Sequence, residues 1–289
     1  MWRRKWLFAL ITILSTLLVG LAVLPGAIAT AAPASPATPA EPSVPDECRP
    51  AKIITGLRNE RQLEAFGLHR DVFGSGTLTF EREGRHRYAS LNLAQDLSGD
   101  PVSARITEVD TSLSPEERTK CWHPTEKERI FAKYTIRFGQ AERPPGLTEN
   151  VVLWNAPFGE ATQLPMTAIG VSRSENFPGY VATVAQDVIF LPEFSGLIHV
   201  APMPPWLDPT AWHTVLVQLT EQTATISVVQ GQQRATVLSV DLPAPLEALA
   251  FEASVDNEVF PGFYVPVSEA DTIDVAALAI RRFPKRGSR

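Results

Sequence analysis

The sequence predicts an all-β fold of two packed antiparallel sheets with one or two short helices, carried behind an export leader and a proline-rich stalk. Three observations lead there. Apolar residues past the stalk recur mostly with a period of two, the runs are short and separated by Gly, Pro and Asp turns, and no βαβ rhythm appears. The clearest run is His213 to Thr220, where Val215, Val217 and Leu219 alternate with Thr214, Leu216 and Gln218. Glu221-Gln222 then turns the chain, and Ala224, Ile226 and Val228 alternate on the return, which predicts a β-hairpin.

Further strands are expected at Gly76 to Phe80, His86 to Leu93, Arg129 to Phe138, Asn150 to Trp154, Met166 to Ser172 and Gly179 to Phe190. Leu197 to Ala201, Arg234 to Asp241, Leu246 to Ser254 and Ile273 to Phe283 complete the set. Helix is sparse. Ser114-Pro115-Glu116-Glu117 supplies an N-cap, a first-turn proline and a capping-box acid for a helix from Pro115 to Lys120, and Asn59 to Phe66 offers another. Leu93 to Thr125 otherwise reads as a long connection, the place where binding features of a sandwich tend to sit.

The N-terminus states an address. Arg3, Arg4 and Lys5 precede an uncharged apolar run from Trp6 to Leu24, the helix breaker Pro25-Gly26 follows, and Ala27-Ile28-Ala29 supplies small residues for processing. The run is long enough to span a bilayer, so an uncleaved anchor competes with a cleaved signal, and either places the rest outside the cytoplasm. Pro33, Pro36, Pro39, Pro42 and Pro45 then recur every third residue, the period of polyproline II; extended, the stalk would reach roughly 40 Å. The expected organisation is residues 1–29 signal, 30–47 linker, 48–284 one β-sandwich and 285–289 a basic tail.

The formal net charge is −6, and losing the three basic leader residues takes it to about −9, which argues against a nucleic acid partner. A membrane contact is expected only through an uncleaved N-terminal helix. The two cysteines, Cys48 and Cys121, are expected to form a disulfide in an exported chain, closing a loop for which the entropy estimate is about 4 kcal/mol.

The second half resembles a known superfamily. The extended Arg129-Ile-Phe-Ala-Lys-Tyr-Thr-Ile-Arg-Phe138, the Val151-Val-Leu-Trp154 strand, the Trp212-His-Thr-Val-Leu-Val-Gln-Leu219 hairpin strand and the closing Asp274-Val-Ala-Ala-Leu-Ala-Ile280 look like the concanavalin A-like lectin and glucanase superfamily, which includes laminin-G-like modules. The resemblance covers roughly Phe73 to Phe283 and implies a jelly-roll sandwich and, more weakly, a sugar ligand. Members that hydrolyse β-glucans carry an acid-x-acid-x-x-acid run on one strand. Glu108-Val-Asp110 begins that pattern, but the third position is Leu113. Glu247, Glu252 and Asp256 lie on or near another strand, Glu247 and Glu252 on opposite faces. No nucleophile elbow, phosphate loop or zinc-binding His pair is present.

A sugar offers an apolar face and a rim of hydroxyls, so a site needs an aromatic platform beside oriented polar groups. The candidates outside clear core phase are Trp206 with Asp208, Tyr180, Trp122 and Tyr264, together with Phe194. Trp206 stands out because Pro202, Pro204 and Pro205 stiffen its loop, although packing that loop onto the sandwich edge is the plainer role. Trp154 and Trp212 fall within alternating strands and are expected at the core or its edge. No cofactor motif occurs; Asp96-Leu-Ser-Gly-Asp100 and Asp256-Asn-Glu258 cluster oxygens of the kind calcium takes. The expectation is an exported, secreted or cell-surface recognition module, non-catalytic, binding a polysaccharide or surface glycan or else a surface protein. A divergent glycoside hydrolase and a structural envelope protein are the alternatives.

Overall fold

The computed structural model describes residues 51–109, 120–155, 166–174, 177, 179–188, 196–260 and 263–284, all within one compact unit. The leader, the stalk, Cys48, Phe194, the basic tail and the helix expected from Pro115 lie outside the described residues, Lys120 excepted. No helix among the described residues is long and apolar enough to cross a membrane.

The strands are β1 (Ala51–Thr55), β2 (His69–Phe73), β3 (Gly76–Glu83), β4 (His86–Leu93), β5 (Ser103–Thr107), β6 (Glu128–Phe138), β7 (Thr148–Trp154), β8 (Met166–Arg173) and β9 (Tyr180–Val188). They continue with β10 (Leu197–Pro202), β11 (His213–Leu219), β12 (Thr223–Gln230), β13 (Gln233–Asp241), β14 (Ala250–Asp256), β15 (Glu258–Phe260), β16 (Phe263–Tyr264) and β17 (Asp271–Pro284). Every strand pair is antiparallel. One sheet runs β13-β12-β11-β6-β17-β4-β3, with β1 pairing β17 where β4 leaves off; the other runs β10-β9-β8-β7-β14-β5-β2. The bulge between Val275 and Ala277 lets one long strand serve both neighbours. The single described helix, α1 (Glu60–Ala65), has Asn59 as N-cap, its side chain accepting from the Gln62 amide at 3.0 Å.

The core lies between the sheets. Val215, Val217 and Leu219 of β11 and Ala224, Ile226 and Val228 of β12 face it, as the hairpin alternation requires. From the second sheet Val151, Leu153, Phe251, Ala253 and Val255 meet them. Burying each such aliphatic or aromatic side chain contributes about 1.5–3 kcal/mol relative to exposure. Polar clamps join the sheets inside this layer. Arg173 of β8, with its side chain 1% exposed, places Nε 2.8 Å from Glu149 of β7 and Nη2 3.2 Å from Asp271 of β17. Nη1 donates to the Gln140 carbonyl at 2.7 Å, and the guanidinium lies 4.6 Å from the centre of the Phe138 ring. Burial raises the Glu149 carboxyl well above its usual range against the pull of Arg173.

The structure corrects the connection expected from Leu93 to Thr125. β5 crosses it, placed between β14 and β2 in the middle of the second sheet's right flank. Val102, Ala104 and Ile106 are buried there with the core, a period-two pattern short enough to pass as a loop between Pro101 and the acidic turn that follows. The crossing from β2 to β3 changes sheets within a few residues. Gly74 takes a φ of +61°, and a Cβ on Gly76 would lie 1.9 Å from the Ser103 carbonyl oxygen, so only glycine lets the two backbones approach that closely.

Candidate binding site on the outer face of the seven-stranded sheet

Because Phe251, Ala253 and Val255 of β14 enter the core, Glu252, Ser254 and Asp256 point to the opposite, outer face. The same alternation puts Asp71 and Phe73 of β2, Ser103, Arg105 and Thr107 of β5, and Asn150, Val152 and Trp154 of β7 on that face. Register aligns Asn150, Ser254, Arg105 and Asp71 in one row across four strands, and Thr148, Asp256, Ser103 and Phe73 in the next.

The result is a polar patch that is unusually well covered. Glu252, Ser254 and Asp256 are each at most 1% exposed, although they face away from the core. At its edge opens a cavity of about 340 Å³ lined by Asp71, Phe73, Pro101, Val102, Ser103, Arg105, Asp256 and Tyr264. Phe73 is 59% exposed there, and Phe263 of β16 and Leu97, in the connection before β5, are further exposed large apolar side chains. Asn257 holds this region in place: its Oδ1 accepts from the Val102 amide, while Nδ2 donates to the carbonyls of Asp100 and Val265.

Electrostatically, one guanidinium serves several acids. Arg105 sits 3.9 Å from Asp71 and also interacts with Glu252, Asp256 and Glu258. Burial pushes Glu252 up to about 7, opposed by Arg105 and by the nearby Ser254 and Trp154. It pushes Asp256 up to about 7 as well, opposed by Arg105 and reinforced by Glu258. Asp256 Oδ1 accepts from the Glu258 amide at 3.1 Å. Its Oδ2, with Glu252 Oε1 and Ser254 Oγ, is buried without a hydrogen-bond partner. Burial first, and then Glu258, raise the Tyr264 hydroxyl above its ordinary value.

Of the aromatic residues singled out from sequence only Tyr264 lies at this cavity, and of the acids only Asp256 lines it. Trp122 is a correction: it is 1% exposed, pairs with Leu249 and donates its indole N–H to Glu108 at 2.7 Å, so it offers no stacking face. Tyr180 is another, since from β9 it packs edge-on against Phe138 at 4.9 Å instead of standing free as a platform. Its hydroxyl meets His213 Nε2 at 3.0 Å, joining the two sheets, and burial holds that imidazole below its usual range. Trp206 is half-buried against the core. Asp208 is exposed, its Oδ1 accepting from the Thr210 amide and hydroxyl, bonds that lower its carboxyl. The Asp208 backbone pairs with the Gln230 side chain, which clips the Trp206 loop onto β12 well away from the cavity strands.

The acids weighed for catalysis divide similarly. Glu108 is spent on structure, accepting from Trp122 and the Phe251 amide and lying 2.5 Å from Lys52, while Asp110 and Leu113 are outside the described residues. Glu247 accepts from Asn155 instead. Asp96 uses Oδ1 on the amide and hydroxyl of Ser98, and no group of three or more His, Cys, Asp or Glu suited to a metal ion occurs among the described residues. Trp154 is buried on the outer face beside Glu252, and Trp212 is half-buried on the far face of the other sheet, stacked on His86 at 4.9 Å with Arg137 4.6 Å from its ring centre. The missed residues, Phe73, Arg105 and Asp71, sit on two strands that the strand reading passed over; the Val102/Ala104/Ile106 alternation was the signal for one of them.

The two packed antiparallel sheets are the sandwich that the strand pattern predicts. No family model and no curated protein matches the chain. Among solved structures it is similar to a prokaryotic β-1,3-1,4-glucanase from a mouse hindgut metagenome, at 9% identity over 80% of this chain and 98% of the other, with a TM-score of 0.49. An endo-β-1,4-glucuronan lyase from the fungus Trichoderma reesei matches at 10% identity over 74% and 90%, with a TM-score of 0.48. The carbohydrate recognition domain of Emp47p matches at 10% over 80% and 94%, with a TM-score of 0.40. Likeness at this level assigns no chemistry to any residue here.

Proposed function

We propose that this protein is an exported carbohydrate-recognition module that engages saccharide units at the cavity on the outer face of the seven-stranded sheet. The observation that carries the reading is the exposed Phe73 ring beside a cavity walled by Tyr264, Ser103, Arg105 and Asp256, which pairs a stacking surface with hydrogen-bonding groups. The leader and stalk support display outside the cytoplasm. A glycan array followed by titration of the strongest ligand tests it. Phe73→Ala is expected to weaken binding about tenfold, the worth of one partly exposed ring, and to leave the melting temperature nearly unchanged. Unchanged affinity, or an array on which the wild type binds nothing, would overturn the assignment.

One observation favours a catalytic second reading. Glu252 and Asp256 lie four residues apart on one strand face, each held near neutrality by burial, where a carboxyl can donate a proton to a leaving group. Release of reducing ends or unsaturated ends from the array ligand, abolished by Glu252→Gln, would establish it; intact ligand after prolonged incubation removes it.

A further inference from the structure

Resting on the reading that the cavity takes a sugar, we infer that the sugar is an amino sugar with a free, protonated amine rather than a neutral or an acidic one. The described residues around the cavity bring four carboxyl groups, Asp71 from β2, Glu252 and Asp256 from β14 and Glu258 from β15, against one guanidinium, Arg105 from β5. Tyr264 from β16 adds a hydroxyl, and His69 lies beyond Thr107 in the same row as Glu252. The site is therefore rich in acceptors.

Independent of that count, Asp256 lines the cavity, is 1% exposed and leaves Oδ2 without a donor. A buried acceptor in that condition keeps its full desolvation cost until a donor arrives. Sugar hydroxyls bring acceptors along with donors, whereas an ammonium brings three donors, no acceptor and a compensating positive charge. A uronate would bring a further acid, with acceptors in place of donors, to the four acids already there, and Arg105 is already engaged by them. The apolar ring of Phe73 at the mouth suits the CH face of such a sugar.

The inference carries a proton signature. Burial keeps Glu252 and Asp256 largely protonated below about pH 7, so a cation that favours their charged forms must expel protons on binding. Titration calorimetry of the mature chain near pH 6, in two buffers of different ionisation enthalpy, would compare a fully deacetylated chitosan oligosaccharide, its N-acetylated counterpart and an oligoglucuronate. The free amine is expected to bind about tenfold or more tightly than the acetylated form, with proton release, and the uronate most weakly. Asp256→Asn should remove both the preference and the release while barely changing net charge, which separates site binding from diffuse attraction to an acidic protein; Asp71→Asn, at a more exposed position, should reduce both if the first variant does not fold. Equal affinity for free and acetylated amines without proton release, or tightest binding of the uronate, overturns the inference and leaves sugar recognition standing. Failure of every oligosaccharide, with a lysine-rich peptide bound instead, overturns both.

Discussion

Replacing Arg173 by Met would test whether the interior clamp between the sheets holds the charge balance described for it. The side chain is 1% exposed and serves Glu149, Asp271 and the Gln140 carbonyl at 2.8, 3.2 and 2.7 Å. Met fills the apolar stem over Phe138 but strands Asp271 in a dry layer with no cation, beside a Glu149 already raised by burial. Removing one partner of a buried pair costs about 3–5 kcal/mol. For a domain of this size that corresponds to roughly 6–20 °C in melting temperature. Denaturant unfolding should show a lower midpoint at unchanged slope, and adding Glu149→Gln and Asp271→Asn to the variant should recover about half the loss or more, since no buried charge then remains. A single-variant loss below about 1 kcal/mol, or no recovery in the triple variant, would refute the account.

Stability should also report the outer-face acids. Because burial raises Glu252 and Asp256 to about 7, the folded state binds more protons than the unfolded one between their usual carboxylate range and neutrality, so unfolding free energy should fall from about pH 5 to about pH 8. A double Glu252→Gln, Asp256→Asn variant should flatten that decline, and a profile unchanged by the pair would refute the assignment. Cys48 and Cys121 are expected to be bonded in the exported protein; labelling of the unfolded, unreduced chain should find no reactive thiol. N-terminal sequencing of exported material should begin at Thr30 or a near neighbour, whereas recovery of Met1 from membranes would establish an anchor.

The sequence by itself determined the fold class, because alternation is a local property. Val215, Val217 and Leu219 must share a face whatever lies opposite them, and Asn59 caps its helix through a bond three residues away. Aromatic candidates were harder. Trp122 and Tyr180 lie where the chain's period is broken or short, and their burial depends on Glu108 and on His213, partners distant in sequence. The cavity was illegible for the same reason. Asp71, Arg105 and Asp256 belong to strands separated by more than thirty and by about one hundred and fifty residues, and only the β2-β5-β14 register sets them side by side. That order of strands decided which acids share one guanidinium and which carboxylate oxygen is left dry, since burial and charge are set by neighbours in space and an alternating pattern fixes only which way each side chain points.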